Sequence, residues 1–252
     1  MVSLLAAPSA FAADLAPLPV KYREAEKLPW AGLYVGANVG YAWSSDPRTD
    51  CAFSGVSPCV VSPPPLVSGT TFPAVRSSGA EYGVQAGYNW QVANWVMGLE
   101  ADFNKLDAHG SKQFPGVDPG KGPDQLSARY DWLGTARGRL GVATGPALFY
   151  ATGGFAYGRV SHQYIYGLGS PANTQFFGSS DDRTGWTLGG GAEYALNRNW
   201  SLRAEYLYVH LAASSLNISN LNFIGGAPGA GTSILSFNNN LNIVRIGANY
   251  RF

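Results

Sequence analysis

The sequence predicts an all-β chain: an eight-stranded antiparallel transmembrane β-barrel with short periplasmic turns and four long extracellular loops. Three observations carry that expectation. The first is composition. Only 13% of the 252 residues are charged, about half the usual ~25%, while 32 residues are Gly and 13% are aromatic. A glycine- and aromatic-rich chain that is 46% hydrophobic excludes disorder, which needs few aromatics and many charges. The second is a period-2 alternation of apolar and polar residues that recurs along the chain. The third is that the connections alternate between short and long. The uncharged runs 51–75 and 211–244 are interrupted by Pro, Gly and Asn, so neither supplies the roughly 20 apolar residues of a spanning helix. Seventeen Lys and Arg against sixteen Asp and Glu leave a net charge of +1, which gives no field for nucleic acid.

In chain order, Met1–Ser9 is apolar and small, and Ala10-Phe11-Ala12 fits an A-x-A cleavage site. Residues 1–12 are therefore read as a signal peptide, truncated at its start because no basic residue precedes the apolar stretch. Residues 13–29 hold Pro17, Pro19 and Pro29 and read as a periplasmic linker. The barrel is expected over 30–252. Its first strand, 32–43, sets Leu33, Val35, Ala37, Val39, Tyr41 and Trp43 against Gly32, Tyr34, Gly36, Asn38 and Gly40. Residues 81–92 oppose Tyr82, Val84, Ala86, Tyr88 and Trp90 to Glu81, Gly83, Gln85, Gly87 and Asn89. Residues 95–106 oppose Trp95, Met97, Leu99, Ala101 and Phe103 to Gly98, Glu100, Asp102 and Asn104. In 127–142, Trp132, Ala136, Leu140 and Val142 face away from Asp131, Thr135, Arg137 and Arg139. The segment 147–166 is strand-like with no clear facing. The last three strands are 185–196, 200–211 and 241–252. Their polar faces hold Glu193, then Arg203 and Glu205, then Arg245 and Arg251. Short turns fall at 93–94, 144–146 and 197–199, and long connections at 44–80, 109–124, 167–182 and 213–234.

An eight-stranded barrel is just wide enough inside for side chains. Rows of Trp, Tyr and Leu do not fit there, whereas Gly, Asn and Arg–carboxylate pairs do. The apolar face therefore points outward, to lipid, rather than inward as in a lipocalin-like calyx. Trp90, Trp95, Trp200 and Tyr250 cluster near the short turns, as an interfacial girdle would.

Four motifs add a family resemblance. Asp131-Trp132-Leu133-Gly134-Thr135-Ala136-Arg137-Gly138-Arg139-Leu140-Gly141 and the run Tyr150–Gly158 are similar to consecutive strands of the small outer-membrane barrels of alphaproteobacteria. Trp30–Gly36 and Ile246–Phe252 match the first and last strands. The chain thus resembles that surface-antigen or "porin family" group over roughly 30–252. The resemblance implies an OmpA/OmpX-type barrel in the outer membrane of a Gram-negative cell, with loops extracellular, termini periplasmic and roles in envelope integrity. It also implies that Ile246, Ala248, Tyr250 and Phe252 form an assembly signal read by the barrel-assembly machinery. By the same resemblance, Ala13, exposed by cleavage, is a point of attachment to peptidoglycan. Outer-membrane lipid and lipopolysaccharide are the remaining expected partners.

Cys51 and Cys59 share a Pro/Ser/Gly-rich segment of an exported chain, which predicts a local disulfide. Ten residues are expected to form a polar network in the lumen: Glu100, Asp102, Asp131, Arg137, Arg139, Glu193, Arg203, Glu205, Arg245 and Arg251. Equal numbers of acids and arginines predict a plug of paired charges rather than a selectivity filter. His109, His162 and His210 lie near the long-loop ends and are read as unrelated rim residues. No catalytic residue, metal or cofactor is expected, because there is no G-x-S-x-G, phosphate loop or Cys–His pair. The leading reading is a structural barrel. A small diffusion pore, and an adhesin or hemin receptor working through loop aromatics such as Phe72, Phe114, Phe176, Phe177 and Phe223, are its competitors.

Overall fold

The computed structural model describes residues 30–45, 49–54, 70–72, 74–115, 122–168, 174–219 and 232–252. Its strands are β1 (Gly32–Ser45), β2 (Thr49–Ser54), β3 (Thr70–Phe72), β4 (Ser78–Val92), β5 (Trp95–Phe114), β6 (Asp124–Thr144), β7 (Ala147–Tyr166), β8 (Gln175–Ala195), β9 (Trp200–Ser219) and β10 (Thr232–Arg251). Eight of them close an antiparallel ring in the order β1-β4-β5-β6-β7-β8-β9-β10, sealed by β1 against β10. Closure leaves no unpaired strand edge within the ring. Beyond the end of β1, the hairpin β2–β3 continues the sheet by pairing with Thr232–Phe237 of β10. The expected Cys51–Cys59 bridge and the expected linker, signal peptide and Ala13 lie wholly or partly outside the described residues.

Two tight turns join strands at one end. Val92 pairs with Trp95 around Ala93-Asn94, and Thr144 pairs with Ala147 around Gly145-Pro146. Ala93 takes a left-handed φ of 53° and Gly145 one of 58°, the sign that two-residue hairpin turns demand. At the third turn the Asn197 side chain accepts from the backbone N–H groups of Asn199 (2.9 Å) and Trp200 (2.8 Å).

At the other end the strands run well past their expected limits. β5 continues to Phe114, β6 starts at Asp124, β8 at Gln175, β9 ends at Ser219 and β10 starts at Thr232. In β5, β6, β9 and β10 these extensions escape strict period-2 reading because of register shifts, whereas the β8 extension has an unbroken register and lacks apolar contrast in its Gly-Ser-Ser-Asp-Asp-Arg-Thr run. Pairing slips between Lys105 and Ala108, between Tyr130 and Trp132, and between Phe237 and Asn239. A bulge inserts one residue and resets which parity faces inward. Strands of about 20 residues exceed the ~9–11 that cross a bilayer, so the upper third of the barrel stands clear of any membrane.

Side chains sort by face. Outward lie Val35, Val39, Val84, Leu99, Leu140, Leu188, Leu202 and Ile246. Aromatics bound this apolar band at both heights. On the short-turn side, Trp200 packs edge-on to Tyr250 with ring centroids 5.2 Å apart, and Trp90 lies 4.9 Å from Tyr88. On the long-loop side Trp132 sits 5.6 Å from Phe103 and 5.3 Å from Tyr157, and Trp186 lies 5.6 Å from Tyr208. An apolar belt between two aromatic girdles is the surface a bilayer covers.

Inward, the barrel is filled in layers. Trp30, Val96, Ala143, Leu148 and Ala195 form an apolar floor at the short-turn end. Above it lies a layer of charged and amide side chains. Leu106, Leu133, Ala156, Val160, Leu207, Val209 and Ile243 then form a second apolar layer. Phe114, Leu126, Tyr164, Tyr166, Ile218, Leu235 and Phe237 form a third at the top. The β7 segment, whose facing the sequence leaves open, alternates Leu148, Tyr150, Thr152 and Ala156 inward with Phe149, Ala151 and Phe155 outward.

The band makes a direct prediction. Leu99→Arg, at mid-height and facing outward, should destabilise the barrel in lipid vesicles by about 2–4 kcal/mol. A denaturant titration of the vesicle-inserted protein reads the change; a loss below about 0.5 kcal/mol would mean that Leu99 faces water.

Candidate functional site

The sequence-derived charged residues converge in the layer between the floor and the second apolar layer. Strand register places them. Glu100 pairs directly with Arg137 across β5–β6, Glu193 with Arg203 across β8–β9, and Glu205 with Arg245 across β9–β10. Each of these side chains is buried. Arg137 Nη2 bonds Asp102 Oδ2 at 2.8 Å and also meets Glu100, and its Nη1 lies 3.2 Å from Glu205 Oε2. Arg245 holds the same Glu205 oxygen through Nε at 2.7 Å and Nη2 at 2.6 Å. Further contacts cross the lumen. Arg203 Nη1 reaches Glu100 Oε2 at 2.5 Å, Arg245 Nη2 reaches Asp102 at 3.2 Å, and Arg139 Nη2 reaches Glu193 at 2.9 Å.

Neutral donors take up the remaining acceptor capacity. The Tyr34 hydroxyl donates to Glu100 (2.6 Å) and accepts from Arg139 Nη1 (3.0 Å). The Tyr150 hydroxyl donates to Glu205 (2.9 Å), and Thr135 Oγ1 and Asn104 Nδ2 donate to Asp102 (2.6 Å each). Ser201 and Asn249 donate to Glu193 at 2.5 and 3.0 Å. Two glycines make the tyrosine positions possible. A Cβ at Gly87 would lie 2.4 Å from the Tyr34 hydroxyl, and one at Gly191 would lie 2.8 Å from that of Tyr150.

Two of the ten sequence-derived residues fall outside this cluster of ion pairs. Asp131 is a correction. The register shift between Tyr130 and Trp132 turns it out of the lumen, where it pairs with Arg129 Nε at 2.9 Å and accepts from Ser161 Oγ at 3.3 Å. Arg251 is inward but at the floor, its guanidinium 4.6 Å from the Trp30 ring centroid. Glu81, on the polar face of its strand, joins instead through Arg245 Nη1 at 3.3 Å. The register Gly40↔Glu81 and Gly40↔Arg245 sets Glu81 across a glycine gap from its partner, a relation that only closure of the ring reveals.

The three histidines do not assemble. His109 and His210 face outward on different strands, His210 through Nδ1 to Asn240 Oδ1 at 2.6 Å. His162 faces inward, beyond the girdle and the membrane-spanning part of β7. Its ring stacks on Phe237 at 3.9 Å, and its Nε2 lies 3.3 Å from Asn239 Oδ1. Asn239 Nδ2 donates to Ala212 O (2.9 Å) and to Ser214 Oγ (3.1 Å), which fixes the amide so that Oδ1 accepts from His162 Nε2–H. Nδ1 is left buried without a hydrogen-bond partner. Burial lowers the His162 pKa to about 4, and the bond to Asn239 only partly offsets it. Among the loop aromatics, Phe114 is buried and stacked on Tyr164 at 6.4 Å, Phe177 packs against the top layer, and Phe176 is exposed. The Phe72 side chain and Phe223 lie outside the described residues.

Two predictions follow from the interior. Glu100→Gln removes the carboxylate shared by Arg137 and Arg203. It should cost about 3–5 kcal/mol, as expected when one partner of a buried pair is deleted; a vesicle denaturant titration giving less than about 1 kcal/mol would mean that water reaches the layer. For His162, the unfolded chain takes a proton near pH ~6.5 and the folded one only near pH 4. Stability is therefore lost as pH falls from about 6.5 towards 4 and changes little below that. Hydrogen exchange at the upper ends of β7 and β8 should accelerate over that window in the wild type and stay flat in His162→Phe. Equal protection at pH 4 and pH 7 in the wild type would contradict it.

Comparison with known proteins places this geometry. Residues 2–252 match the family model described as the outer membrane protein β-barrel domain. The 31 kDa outer-membrane immunogenic protein of Brucella melitensis is 35% identical, over 100% of this chain and 97% of its own. The 25 kDa outer-membrane immunogenic protein of Brucella canis is 26% identical, over 97% of this chain and 91% of its own. Among solved structures, the outer membrane protein OprG from Pseudomonas aeruginosa superposes with a TM-score of 0.51 at 12% identity, covering 88% of this chain and 96% of that one, a likeness of fold.

Proposed function

Because the chain belongs to the outer membrane protein β-barrel domain family, we propose that it is a structural barrel of the outer membrane, closed to solutes and without catalysis. The observation that carries this reading is the sealed interior. A conducting lumen needs its charges spaced along a wet path, whereas here Arg137, Arg203 and Arg245 are each buried and paired with carboxylates. Leu148 and Val96 underlie that layer, and Leu106, Leu207 and Ile243 cover it. Water that entered would have to displace both apolar layers and compete with charge-assisted bonds. The long loops then form the cell-surface face, with the short turns and both termini periplasmic. The names of the Brucella relatives support loops that antibodies reach.

Ile246, Ala248, Tyr250 and Phe252 point outward along the closing strand, with Phe252 N–H bonded to Leu33 O at 3.1 Å. That leaves them available to the assembly machinery before the ring closes on β1. Attachment of Ala13 to peptidoglycan would tether the same wall to the murein. Single-channel recording of the purified protein in planar bilayers tests the closed lumen. The expected result is silence or rare small openings; stable conductance on the scale of the large porins would overturn it.

A further inference from the structure

Above the long-loop girdle the outer wall is not uniform. On β9 and β10, residues 211–219 and 232–242 contain no Asp, Glu, Lys or Arg. At the same height β5–β8 carry Lys105, Asp107, Arg129, Arg159 and Asp182 among hydroxyl and amide side chains. There the four strands frame a groove of about 700 Å³, lined by Ser111, Gln125, Ser127, Arg129, Ser161 and Gln163. Its polar groups are already ordered by one another. Gln113 donates to Gln125 (3.2 Å) and Gln125 to Ser127 (3.2 Å), and the Ser161 and Ser180 hydroxyl oxygens are bonded at 3.0 Å. Arg129 is held by Asp131, and Arg159 by a two-pronged bond to Asp182 at 2.7 and 3.0 Å. Lys105 stands at the lower rim, in register between Tyr82 and Trp132. It is exposed and without an ion-pair partner among the described residues.

We propose that this groove binds the core sugars of lipopolysaccharide whose acyl chains lie on the apolar band beneath. Three features select that occupant. The first is height. Gln125 lies seven residues above Trp132 on β6, which at about 3.3 Å per residue and a ~40° tilt is roughly 15–20 Å above the girdle. That is where the sugars of the outer leaflet stand. The second is chemistry. The lining offers hydroxyls and amides that donate and accept, as a polyhydroxylated ligand requires, and lacks the exposed aromatics that mark protein-binding surfaces. The third is charge. Arg129 and Arg159 are neutralised in place, while Lys105 and Lys112 are exposed and without ion-pair partners among the described residues, which suits a sugar bearing anionic substituents. The proposal rests on the proposed orientation of the barrel and is independent of the closed lumen.

The test uses the purified full-length barrel in detergent micelles. It is titrated by native mass spectrometry with lipopolysaccharide truncated to lipid A plus inner core, and separately with lipid A alone. Two or three added hydrogen bonds should make the core-bearing lipid bind about tenfold or more tightly. Gln125→Ala with Gln163→Ala should erase that preference, while Ser215→Leu with Asn217→Leu on β9 should keep it, each checked for folding by heat-modifiable gel migration. Equal affinity for the two lipids, or a preference that survives the groove variant, overturns the proposal. Orientation is read apart from this by labelling Ser127→Cys in intact cells with an impermeant maleimide, over the wild-type background. Labelling from outside without a core preference overturns the groove alone, and labelling only after lysis overturns the orientation.

Discussion

The structure depends on one constraint: every charge in the mid-barrel layer has to be met by opposite charges and hydrogen-bonding side chains of the barrel itself. A buried, unpaired ion costs several kcal/mol even after relaxation. Here Glu81, Glu100, Asp102, Glu193 and Glu205 share Arg137, Arg139, Arg203 and Arg245. That requirement fixes strand register more tightly than the lipid-facing band does. A two-residue slip keeps an apolar side chain facing lipid, but it would move Arg137 off Glu100 and set Arg203 out of line with Glu193. The glycines opposite Tyr34 and Tyr150 have the same origin. They let two phenols approach carboxylates that already carry arginines, completing acceptor sites the guanidinium groups leave open.

How much was legible in the sequence follows from what each layer faces. At mid-barrel the two environments differ sharply, lipid outside and ion pairs inside, so alternation read the facing of Leu99 against Glu100 and of Leu202 against Arg203. In the layers above and below, both sides are apolar. Leu148 and Phe149, or Val160 and Tyr157, then carry no contrast, and the facing of β7 could not be read. The bulges blurred the rest. Asp131 looked inward by parity counted from Arg137, and one inserted residue turned it to the outer wall. Glu81 had the right face, but its link to Arg245 crosses from β4 to β10 over β1, a neighbour relation created by ring closure. The upper reaches of β5, β6, β9 and β10 are hidden for the same reason, since a template that demands unbroken alternation stops at the first bulge.

The upper third of the barrel follows a different rule. Its interior is mostly apolar, with two polar inserts: His162 with Asn239 and Ser214, and Asp124, which accepts from the Tyr164 hydroxyl and from Gly167 N–H. Its exterior is polar on β5–β8 and bare of charge on β9 and β10. The walls beyond the membrane thus have no common outer solvent-facing pattern, and the molecule has a distinct front and back around its axis. A barrel that served only to span lipid would have no physical reason for such asymmetry above the girdle, whereas a surface that meets a structured sugar layer on one side does.

The lattice also bears on how the ring closes. Its contacts fall into two groups by sequence separation. Glu100–Arg137 and Glu205–Arg245 join neighbouring strands, so the β5–β6 and β9–β10 hairpins can neutralise themselves as they form. Arg203–Glu100, Arg245–Asp102 and Arg245–Glu81 span 103, 143 and 164 residues and exist only once the sheet has curled into a tube. These two hairpins therefore arrive with little net charge to desolvate, and the cross-lumen bonds form together with the β1–β10 seam. Because the second group cannot be gained one bond at a time, closure is cooperative. An open sheet would expose Arg203 and Arg245 with half their partners missing, in surroundings that charge avoids. The same paired charges that fill the finished barrel thus penalise every partly closed form.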